Sequence, residues 1–489
     1  MEIVDIFAEG CPVQLEDVLK NRDWRVAVQD HLMQHFSTST VVAVKLNVPG
    51  EVKNSPSIKQ LFFAGWRLLL SKMSSMAVQK VTVEADRLTG PEGFFVINRE
   101  LEEVKKEAIR FEEHFFLGRL FDIDVMTLHA PAYQLSRQEL GFAPRTCLIC
   151  SENAKECARS GKHDISALRD NINQIYTDYF VIDPVIPAWD QETVAKAATF
   201  ACLAEAVTWP KPGLVDPVSN GAHQDMDIYS FLDSSLSLEN YFKKCFEAGR
   251  TFRGDQLTAL LSTIRPSGRF AEGRMFQVTD GVNTHKGTIF SLGILIAAYG
   301  YASRNEQSPS LSFVQTVVSR MGAQLVENDL KEKFSPSGLT DSKGDADKKV
   351  FKGNANRPST AGEQQYQDYQ LTGVRGEIAG GLRPLSTVGL KTLRESRGTT
   401  RVRLLNTLMA LATSITDSTM IKRYGDPKIS QQLNQWVQEF EARGGAESKG
   451  GQDYLASLDQ AFIEKNLSMG GAADYLILTI FIGRLTGLL

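Results

Sequence analysis

The spacing of apolar residues changes once along this chain, near residue 190. Before about residue 150, strand-like runs such as STSTVVAVKLNV and GFFVI alternate with helical segments, which predicts an α/β layer. From QETVAKAATFACLAEAVTW onward the strand pattern fades, and alanine- and leucine-rich segments with helical spacing continue to the end. The sequence therefore predicts an α/β domain followed by an all-α domain.

Chain length agrees with this division. The chain has 489 residues, whereas single hydrophobic cores stop growing beyond roughly 250 residues. Between the two patterns, the prolines of PVIPAW interrupt any helix. We predict a first domain over residues 1–170, a linker over 171–189 and a second domain over 190–489.

Composition excludes several classes of protein. A hydrophobic content of 42%, a charged content of 23% and a formal net charge of -4 are typical of a globular protein and argue against a basic nucleic-acid binder. Glu2, Asp5 and Glu9 stand where a signal peptide would need a basic start and an apolar run. The most apolar stretch, TIFSLGILIAAYGYA, is shorter than the roughly 20 residues needed to cross a bilayer, and Arg484 interrupts the apolar C-terminal run. We expect a cytoplasmic protein without membrane or nucleic-acid partners.

Two carboxylates, Asp122 and Asp124, alternate with apolar residues in the stretch FDIDV. Side chains of a strand alternate between its faces, so both carboxylates should project from the same face. Charges this close repel unless one is protonated, both stay solvated or a cation lies between them. Exposed acids at a strand end are one interpretation, and a Mg²⁺ site for phosphoryl transfer is the other. The neighbouring Arg119 favours the second.

A surplus of basic residues precedes this carboxylate pair. Six lysines and arginines lie between residues 45 and 80 against the single acid Glu51. Within this stretch Ser55 is the predicted N-cap and Pro56 the first residue of a helix. The apolar stripe of that helix is formed by Ile58, Leu61, Phe62 and Trp66. A helix N-terminus beside Lys53 suits a phosphate, and a solvated basic face is the alternative.

Three cysteines and one histidine crowd into RTCLICSENAKECARSGKH with the spacing C-x2-C-x6-C-x5-H. These residues are Cys147, Cys150, Cys157 and His163. Four sulfur and nitrogen ligands suit a structural zinc ion, because they fill its tetrahedral coordination. Buried thiols beside a surface histidine are the alternative, and the spacing leaves both open.

Several stretches of the first domain resemble a known protein family. LNVPGEVKNSP, LTGPEGFFV, LGRLFDIDV, LSRQELGFAPRTCLIC and CARSGKH closely resemble the citrate-lyase holo-acyl-carrier-protein synthases, also called apo-citrate lyase phosphoribosyl-dephospho-coenzyme A transferases, over about residues 10–168. The resemblance implies a nucleotidyltransferase-like domain in which a serine of the acyl carrier (gamma) subunit attacks the α-phosphate of 2'-(5''-triphosphoribosyl)-3'-dephospho-CoA, releasing pyrophosphate. It implies Asp122 and Asp124 as catalytic Mg²⁺ ligands, with Lys53 and Arg119 as phosphate contacts.

Three glycine-marked stretches stand out in the second domain: KPGLVDPVSNGAHQDMD, TDGVNTHKGTIFSLG and LTGVRGEIAGG. The first contains His223 and the carboxylates Asp225 and Asp227, which could hold Mg²⁺. The second stretch carries Asn283, His285 and Lys286. These stand at the start of an apolar helix, where backbone N–H groups and a lysine can receive phosphate. Each stretch alone is more often a cap or a turn, and together they predict a polyanion site.

The second domain also resembles a known family. KPGLVD, GAHQDMD, GVNTHKGTIFSLG, TAGEQQYQDYQLTGVRGE and NLSMGGAAD are similar to the triphosphoribosyl-dephospho-coenzyme A synthases over about residues 190–485. The resemblance implies ATP and 3'-dephospho-CoA as substrates: the 2'-hydroxyl attacks C1 of the ATP ribose and adenine leaves. The resemblance implies Asp225 and Asp227 as Mg²⁺ ligands. It implies Asn283, Lys286 and Arg375 as substrate contacts. The candidates for the acid or base are His223, His285 and Glu377.

Taken together, these resemblances predict a bifunctional enzyme that makes the citrate lyase prosthetic group and attaches it to its carrier. One rival is the malonate decarboxylase pathway, which uses the same group on another carrier; the cysteine and histidine segment favours the citrate lyase branch. A second rival is a scaffold without catalysis, whose basic stretch docks an acidic carrier. The polar stretch over residues 331–365 is expected to form a long surface loop or a lid.

Overall fold

A computed structural model describes residues 3–73, 76–128, 135–150, 152–327 and 361–489. The chain divides into two compact units, Met1–Trp189 with Thr486–Leu488, and Asp190–Leu485 with Leu489. Each unit is described separately below.

The first unit is built on a four-stranded antiparallel sheet with strand order β2-β3-β1-β4. The strands are β1 Thr40–Leu46, β2 Val78–Glu84, β3 Glu92–Ile97 and β4 Phe121–Met126. The helices are α1 Leu15–His35, α2 Pro56–Met73, α3 Leu101–His114, α4 Ala154–Ser160 and α5 Ile165–Thr177. The predicted mixture of strands and helices is confirmed, and the nucleotidyltransferase-like fold stays a prediction.

The two faces of the sheet are covered by different helices. On one face, Leu32 and Met33 of α1 pack against Ala43 and Phe94. On the other face, Trp66 of α2 packs edge-on against Phe95. Each face is therefore covered in part by apolar side chains of a helix.

Helix α2 begins where the sequence predicts. Pro56 is its first residue, and the hydroxyl of Ser55 accepts a hydrogen bond of 3.1 Å from the N–H of Ile58. The predicted apolar stripe is buried throughout. The cap and the stripe are thereby confirmed.

Residues 171–189, assigned to a linker from the sequence, belong instead to the first compact unit. Helix α5 continues to Thr177 and is followed by a π-helical turn over Asp178–Ile182. The hydroxyl of Tyr176 donates to Gln60 at 2.6 Å. Tyr176, Tyr179 and Phe180 are buried in the core of the first unit. We therefore place the end of this unit near residue 189 rather than 170.

The second unit is helical, and the structure describes no strand among residues 190–327 and 361–489. Its helices up to residue 327 are α6 Gln191–Val207, α7 Ile228–Ser237, α8 Glu239–Thr251, α9 Leu257–Val278, α10 Lys286–Ala302 and α11 Leu311–Met321. Those after residue 360 are α12 Ala361–Tyr369, α13 Gly373–Ala379, α14 Leu390–Glu395, α15 Thr400–Ser414, α16 Ser418–Tyr424, α17 Ile429–Ala442, α18 Lys449–Glu464 and α19 Gly470–Thr486.

Helix α10 packs against α8, α9 and α11 and is buried along most of its length. Its contact with α8 is so close that a Cβ at Gly249 would overlap the carbonyl oxygen of Ala297. The apolar run over residues 288–302 is therefore confirmed as a buried helix. No helix in the described part of the chain is both long and apolar enough to cross a membrane.

The stretch predicted as a surface loop or lid falls mostly outside the described residues. Residues 361–365, its last five positions, form the start of α12. Gln365 is buried and donates to the carbonyl oxygen of Ser418 at the start of α16. This end of the stretch is thus helical, and the side chain of Gln365 packs against the start of α16.

Candidate functional sites

The carboxylate pair of FDIDV lies on the same face of the sheet as a lysine. In the strand register, Lys45 of β1 is opposite Asp122 of β4 on one side and opposite Glu92 of β3 on the other. The ammonium of Lys45 contacts Asp122 at 2.5 Å and Asp124 at 3.1 Å. The prediction that both carboxylates share a face is confirmed, and a cation lies between them.

Electrostatics keep Asp122 and Lys45 charged. Burial alone would raise the pKa of Asp122, but the charges of Lys45 and Arg145 outweigh it and hold that pKa below its usual value. In turn, burial would lower the pKa of Lys45, but both carboxylates overcome it and raise that pKa. The salt bridge between Lys45 and Asp122 is therefore fully charged at neutral pH.

Strand β4 is an edge strand, and charged side chains occupy its open edge. Lys105 of α3 donates to the carbonyl oxygen of Ile123 at 3.0 Å, and the N–H of Ile123 donates to Glu112 at 3.2 Å. Arg145 pairs with the buried Glu112 and lies 3.4 Å from Asp122. Burial raises the pKa of Glu112, although Arg145 opposes the rise. Arg145 thus joins the edge of the sheet to the carboxylate pair.

A cavity of about 660 Å³ adjoins these groups and is called the first cavity. Its charged lining includes Lys105, Glu112, Arg119, Asp122, Asp124, Arg137, Arg145 and Lys155. Of the two predicted phosphate contacts, Arg119 lines the cavity, whereas Lys53 is not among the described residues that do so. The ammonium of Lys53 donates instead to the carbonyl oxygen of Val48 at 2.6 Å, and burial lowers its pKa. A phosphate role for Lys53 stays a prediction.

The predicted zinc ligands converge in space. One ligand atom from each of Cys147, Cys150, Cys157 and His163 lies within 4.8 Å of the others. The sulfur atoms of Cys147 and Cys157 are 3.5 Å apart, and the N–H of Ile149 donates to the Cys147 sulfur at 3.4 Å. All six cysteines of the chain are free thiols. We call these four residues the Cys/His cluster.

In the second unit, three helices begin at the wall of a cavity of about 700 Å³, called the second cavity. Residues from the first turns of α10, α16 and α19 line it. The helix dipole favours an anion at such an end, but at α16 and α19 the carboxylate of Asp417 already accepts the N–H groups of Thr419, Met420 and Ala472. Lys286, Lys422 and Arg423 supply three cations to the same wall. The cavity is therefore suited to a polyphosphate.

Five of the eight predicted residues of this site line the second cavity: His223, Asp225, Asn283, His285 and Lys286. Asp227, Arg375 and Glu377 are not among the described residues that line it. The Oδ1 atom of Asp227 caps α7 by accepting the N–H of Ser230 at 2.9 Å. Glu377 lies on α13 and accepts the hydroxyl of Tyr475 at 2.6 Å. Roles for these three residues stay predictions.

Both cavity histidines are neutral at pH 7. Burial, helped by the charge of Lys211, lowers the pKa of His285 to about 3. Burial and the guanidinium of Arg423 lower the pKa of His223 to about 4. The Nδ1 atom of His285 lies 2.7 Å from the hydroxyl of Ser234, and its buried Nε2 has no hydrogen-bond partner among the described residues. Neither imidazole is charged, so neither can supply a proton at neutral pH.

A half-buried carboxyl group, Asp474 of α19, also lines the second cavity. Its Oδ1 atom accepts the hydroxyl of Thr288 at 2.5 Å. Burial raises the pKa of Asp474 to about 7; Thr288 opposes the rise, while the charges of Asp417 and Glu205 add to it. Near pH 7, this carboxyl group therefore exchanges a proton readily.

The acid Glu205 belongs to a buried ion pair beside the cavity. Its partner Lys211 also donates to the Glu205 carbonyl oxygen at 2.7 Å and is 1% exposed. The N–H of Lys211 donates to Asp216 at 3.0 Å, which holds the KPGLVD turn in place. This turn connects α6 to the loop carrying His223, so it positions one wall of the cavity.

The sequence pattern does not single out Glu112, Arg145, Glu205 or Asp474 as members of a site, and it places Lys45 only in the basic stretch. Two weak signals were present. Arg145 precedes the first cysteine pair by two positions, and Asp474 is the single acid of a largely apolar helix that carries no other charge before Arg484. A buried helix seldom carries an unpaired acid without a specific role or partner.

Comparison with known proteins gives both units a family. Residues 13–179 match the family of apo-citrate lyase phosphoribosyl-dephospho-CoA transferases, and residues 191–489 match that of ATP:dephospho-CoA triphosphoribosyl transferases. The chain is 41% identical to Protein CitXG of Leuconostoc mesenteroides subsp. cremoris over 484 residues, which is 99% of this chain and 100% of that protein. It is 32% identical to Protein CitXG of Haemophilus influenzae over 480 residues, 97% of this chain and 96% of that protein.

A relative of the second unit alone gives the same result. The chain is 40% identical to a probable 2-(5''-triphosphoribosyl)-3'-dephosphocoenzyme-A synthase of Lactiplantibacillus plantarum over 300 residues, 61% of this chain and 99% of that protein. Both resemblances noted in the sequence are confirmed. The chain belongs to the family of fused proteins that join an apo-citrate lyase phosphoribosyl-dephospho-CoA transferase to an ATP:dephospho-CoA triphosphoribosyl transferase.

Proposed function

We propose that this chain carries out two consecutive steps of citrate lyase prosthetic-group synthesis. The second unit makes 2'-(5''-triphosphoribosyl)-3'-dephospho-CoA from ATP and 3'-dephospho-CoA, releasing adenine. The first unit then transfers the phosphoribosyl-dephospho-CoA group to a serine of the apo-citrate lyase acyl carrier (gamma) subunit, releasing pyrophosphate. The observation that carries this proposal is the match of one family model to each compact unit, over residues 13–179 and 191–489.

In the synthase step, a bond forms between the 2'-oxygen of dephospho-CoA and C1 of the ATP ribose while the bond from C1 to adenine breaks. The hydroxyl loses a proton, and the departing adenine gains one. The cations of the second cavity, together with the positive end of the α10 dipole, hold the triphosphate, which stays attached to the ribose. Positive charge develops at C1, and the carboxylates of the cavity stabilise it.

Proton transfer to adenine is assigned to Asp474. A general acid works best when its pKa is near the operating pH, and the pKa of Asp474 is raised to about 7. The neutral histidines His223 and His285 cannot serve as acids at that pH, but their ring nitrogens can hydrogen-bond the base or ribose. This assignment adds a residue to the candidates drawn from the sequence and favours it as the acid.

In the transferase step, the cations of the first cavity face a substrate of several phosphates. Arg119 and Arg145 line the cavity and present guanidinium groups, which suit bidentate contacts to phosphate oxygens. Glu112 and Asp122 hold Arg145 by ion pairs. The arginine is therefore fixed before the substrate arrives, which reduces the ordering cost of binding.

Asp122 and Asp124 fit a divalent cation, since the ammonium of Lys45 already lies between their oxygens. Bound there, Mg²⁺ would neutralise charge on the α-phosphate and lower the barrier to attack by the serine hydroxyl. In the second cavity, Asp225 fits as a ligand to Mg²⁺, whereas Asp227 uses Oδ1 to cap α7. The Cys/His cluster fits a structural zinc ion, because its donor set is three sulfurs and one nitrogen.

The test combines both activities in one tube. Purified protein is incubated with apo carrier subunit, ATP, Mg²⁺ and 3'-dephospho-CoA, and adenine and the carrier mass are followed together. We expect free adenine and a carrier whose mass rises by one phosphoribosyl-dephospho-CoA group. Adenine with an unmodified carrier would contradict the transferase half, and absence of both products from folded protein would contradict the whole proposal.

A pair of substitutions tests the two predicted phosphate contacts. Arg119→Gln should lower kcat/KM for transfer by about 10- to 100-fold, because one charged hydrogen bond to phosphate is lost. Lys53→Gln should change it less than about threefold, since the Lys53 ammonium donates to Val48 rather than to the cavity. Steady-state transfer rates with supplied triphosphoribosyl-dephospho-CoA would check this. Equal losses in both variants would place Lys53 at the phosphates after all.

A further inference from the structure

The segment that carries the Cys/His cluster is folded as a compact turn. The N–H of Cys147 donates to the carbonyl oxygen of Glu152 at 2.7 Å, so the chain doubles back between the first two cysteines and α4. Asn153 then caps α4 by accepting the N–H of Lys155 at 2.9 Å, and this helix presents Cys157. Local hydrogen bonds thus bring three sulfurs together from one short stretch.

The fourth ligand position supplies an independent sign of a missing partner. The Nε2 atom of His163 is buried, and no hydrogen-bond partner for it exists in the described part of the chain. A buried ring nitrogen without a partner is costly unless a donor or a metal ion meets it. Tetrahedral zinc with bonds of about 2.3 Å holds its sulfurs roughly 3.8 Å apart, and the sulfurs of Cys147 and Cys157 are 3.5 Å apart.

The same turn holds two arginines of the first cavity. The carbonyl oxygen of Arg145 accepts the N–H of Ala154, the first residue of α4, at 2.9 Å. The guanidinium of Arg119 donates to the carbonyl oxygen of Thr146. From this backbone, the Arg145 side chain reaches Glu112 and Asp122. The position of both arginines therefore depends on how tightly the turn is held against α4.

We infer that a zinc ion bound by Cys147, Cys150, Cys157 and His163 locks Arg145 in the first cavity, so that carrier modification requires zinc and synthesis of the triphosphoribosyl intermediate does not. Arg145 is then a positioning residue for Asp122 as well as a phosphate contact. The effect on transfer rests on the proposed transferase function, whereas zinc binding and the order of the turn do not. Loss or oxidation of the thiolates would stop one activity of the chain and spare the other.

The experiment uses the full chain and four readouts: zinc per chain by elemental analysis, tryptic cleavage after Arg145, transfer to the carrier, and adenine release. Wild type should carry one zinc ion and resist cleavage at Arg145. His163→Ala should lose zinc, expose the Arg145 peptide bond and slow transfer by about 10- to 100-fold, with adenine release within about twofold. Cys11→Ser, a change of an exposed cysteine outside the cluster, is the matched control and should behave as wild type.

Two more variants keep the test decisive. His163→Cys supplies a fourth sulfur, so it should restore zinc and transfer if metal binding is the role of this position. Arg145→Lys should keep zinc but lose transfer, because a lysine lacks the planar fork. Wild type without zinc, or zinc loss that leaves transfer and cleavage unchanged, would overturn the inference. If His163→Ala loses zinc and protection at Arg145 together while wild type transfers nothing, the zinc lock on Arg145 stands, and the transferase proposal fails together with the effect of zinc on transfer.

Discussion

Replacing Asp124 by asparagine should slow carrier modification by at least about 10³-fold and leave adenine release unchanged, because several kcal/mol of charge stabilisation at the phosphate would be lost. The substitution keeps the size of the side chain and removes only its charge. Asp122 stays within 2.5 Å of the Lys45 ammonium, so the lysine keeps a partner and the sheet should fold normally. The measurement is transfer with supplied intermediate, alongside adenine release from ATP and 3'-dephospho-CoA.

A matched control is available on the same unit. Asp86→Asn makes the same change at a side chain that is 89% exposed and paired only with Lys59 in the described contacts. This variant should transfer at the wild-type rate. If Asp124→Asn transfers equally well while binding the carrier, Asp124 is a surface acid, and a scaffold that merely binds the carrier becomes the better interpretation of the first unit.

Local signals explain what could be predicted about the first cavity. Alternation in FDIDV indicates a strand, and Ser55 followed by Pro56 indicates a helix start; both depend only on neighbouring residues. The partners of the carboxylates could not be predicted in this way. Lys45 is 77 residues from Asp122, and Arg145 is 23 residues away. Only the order of the strands and the turn before α4 bring them together.

The assignment of residues 171–189 to a linker relied on the prolines and overlooked the aromatic residues that precede them. Prolines after residue 183 indicated a break, and they do follow the last helical turn. The aromatic residues Tyr176, Tyr179 and Phe180 are buried, as expected of a core rather than an exposed linker. These residues stand at positions i, i+3 and i+4, which lie on the same face of a helix. Helical turns are the structure that this segment forms.

In the second cavity, glycine-marked loops pointed to the histidines and Lys286, whereas the pattern around Asp227 also fits a helix cap. An acid followed three residues later by serine is a helix-capping pattern, and Asp227 and Ser230 form such a box at α7. Asp474 was missed for the opposite reason. It stands in an apolar run, which predicts only a buried helix. The contact with Thr288, 186 residues away, is what places Asp474 at the cavity.

Replacing Asp474 by asparagine should slow adenine release by about 10²- to 10⁴-fold, the usual contribution of a general acid. Transfer of supplied intermediate to the carrier should be unaffected. In wild type, adenine release should fall as pH rises above about 7, because the acid then loses its proton. The residual activity of the variant should lack this alkaline limb. A pH profile of adenine release for both proteins checks this.

A contact of Asp474 allows its pKa to be moved without removing the acid. The hydroxyl of Thr288 stabilises the charged form, so Thr288→Val should raise the pKa of Asp474 further and shift the alkaline limb to higher pH. Asp417 and Glu205, whose charges also raise this pKa, and Lys211, paired with Glu205, are unchanged in the variant. An alkaline limb that stays in place would assign the titration to another group.

Stability separates an acid from a residue that only holds two helices together. The folded chain binds the Asp474 proton more tightly than the unfolded chain does, since burial raises the pKa from its ordinary 3.8 to about 7. Ionisation therefore costs stability progressively as pH rises from about 4 to about 7, and the cost remains above that range. An asparagine side chain at this position cannot ionise and can still accept the Thr288 hydroxyl through its amide oxygen. Asp474→Asn should thus be at least as thermally stable as wild type at pH 8, despite its lost activity. A lower Tm at pH 8 would instead make Asp474 a structural cap whose removal disturbs the cavity.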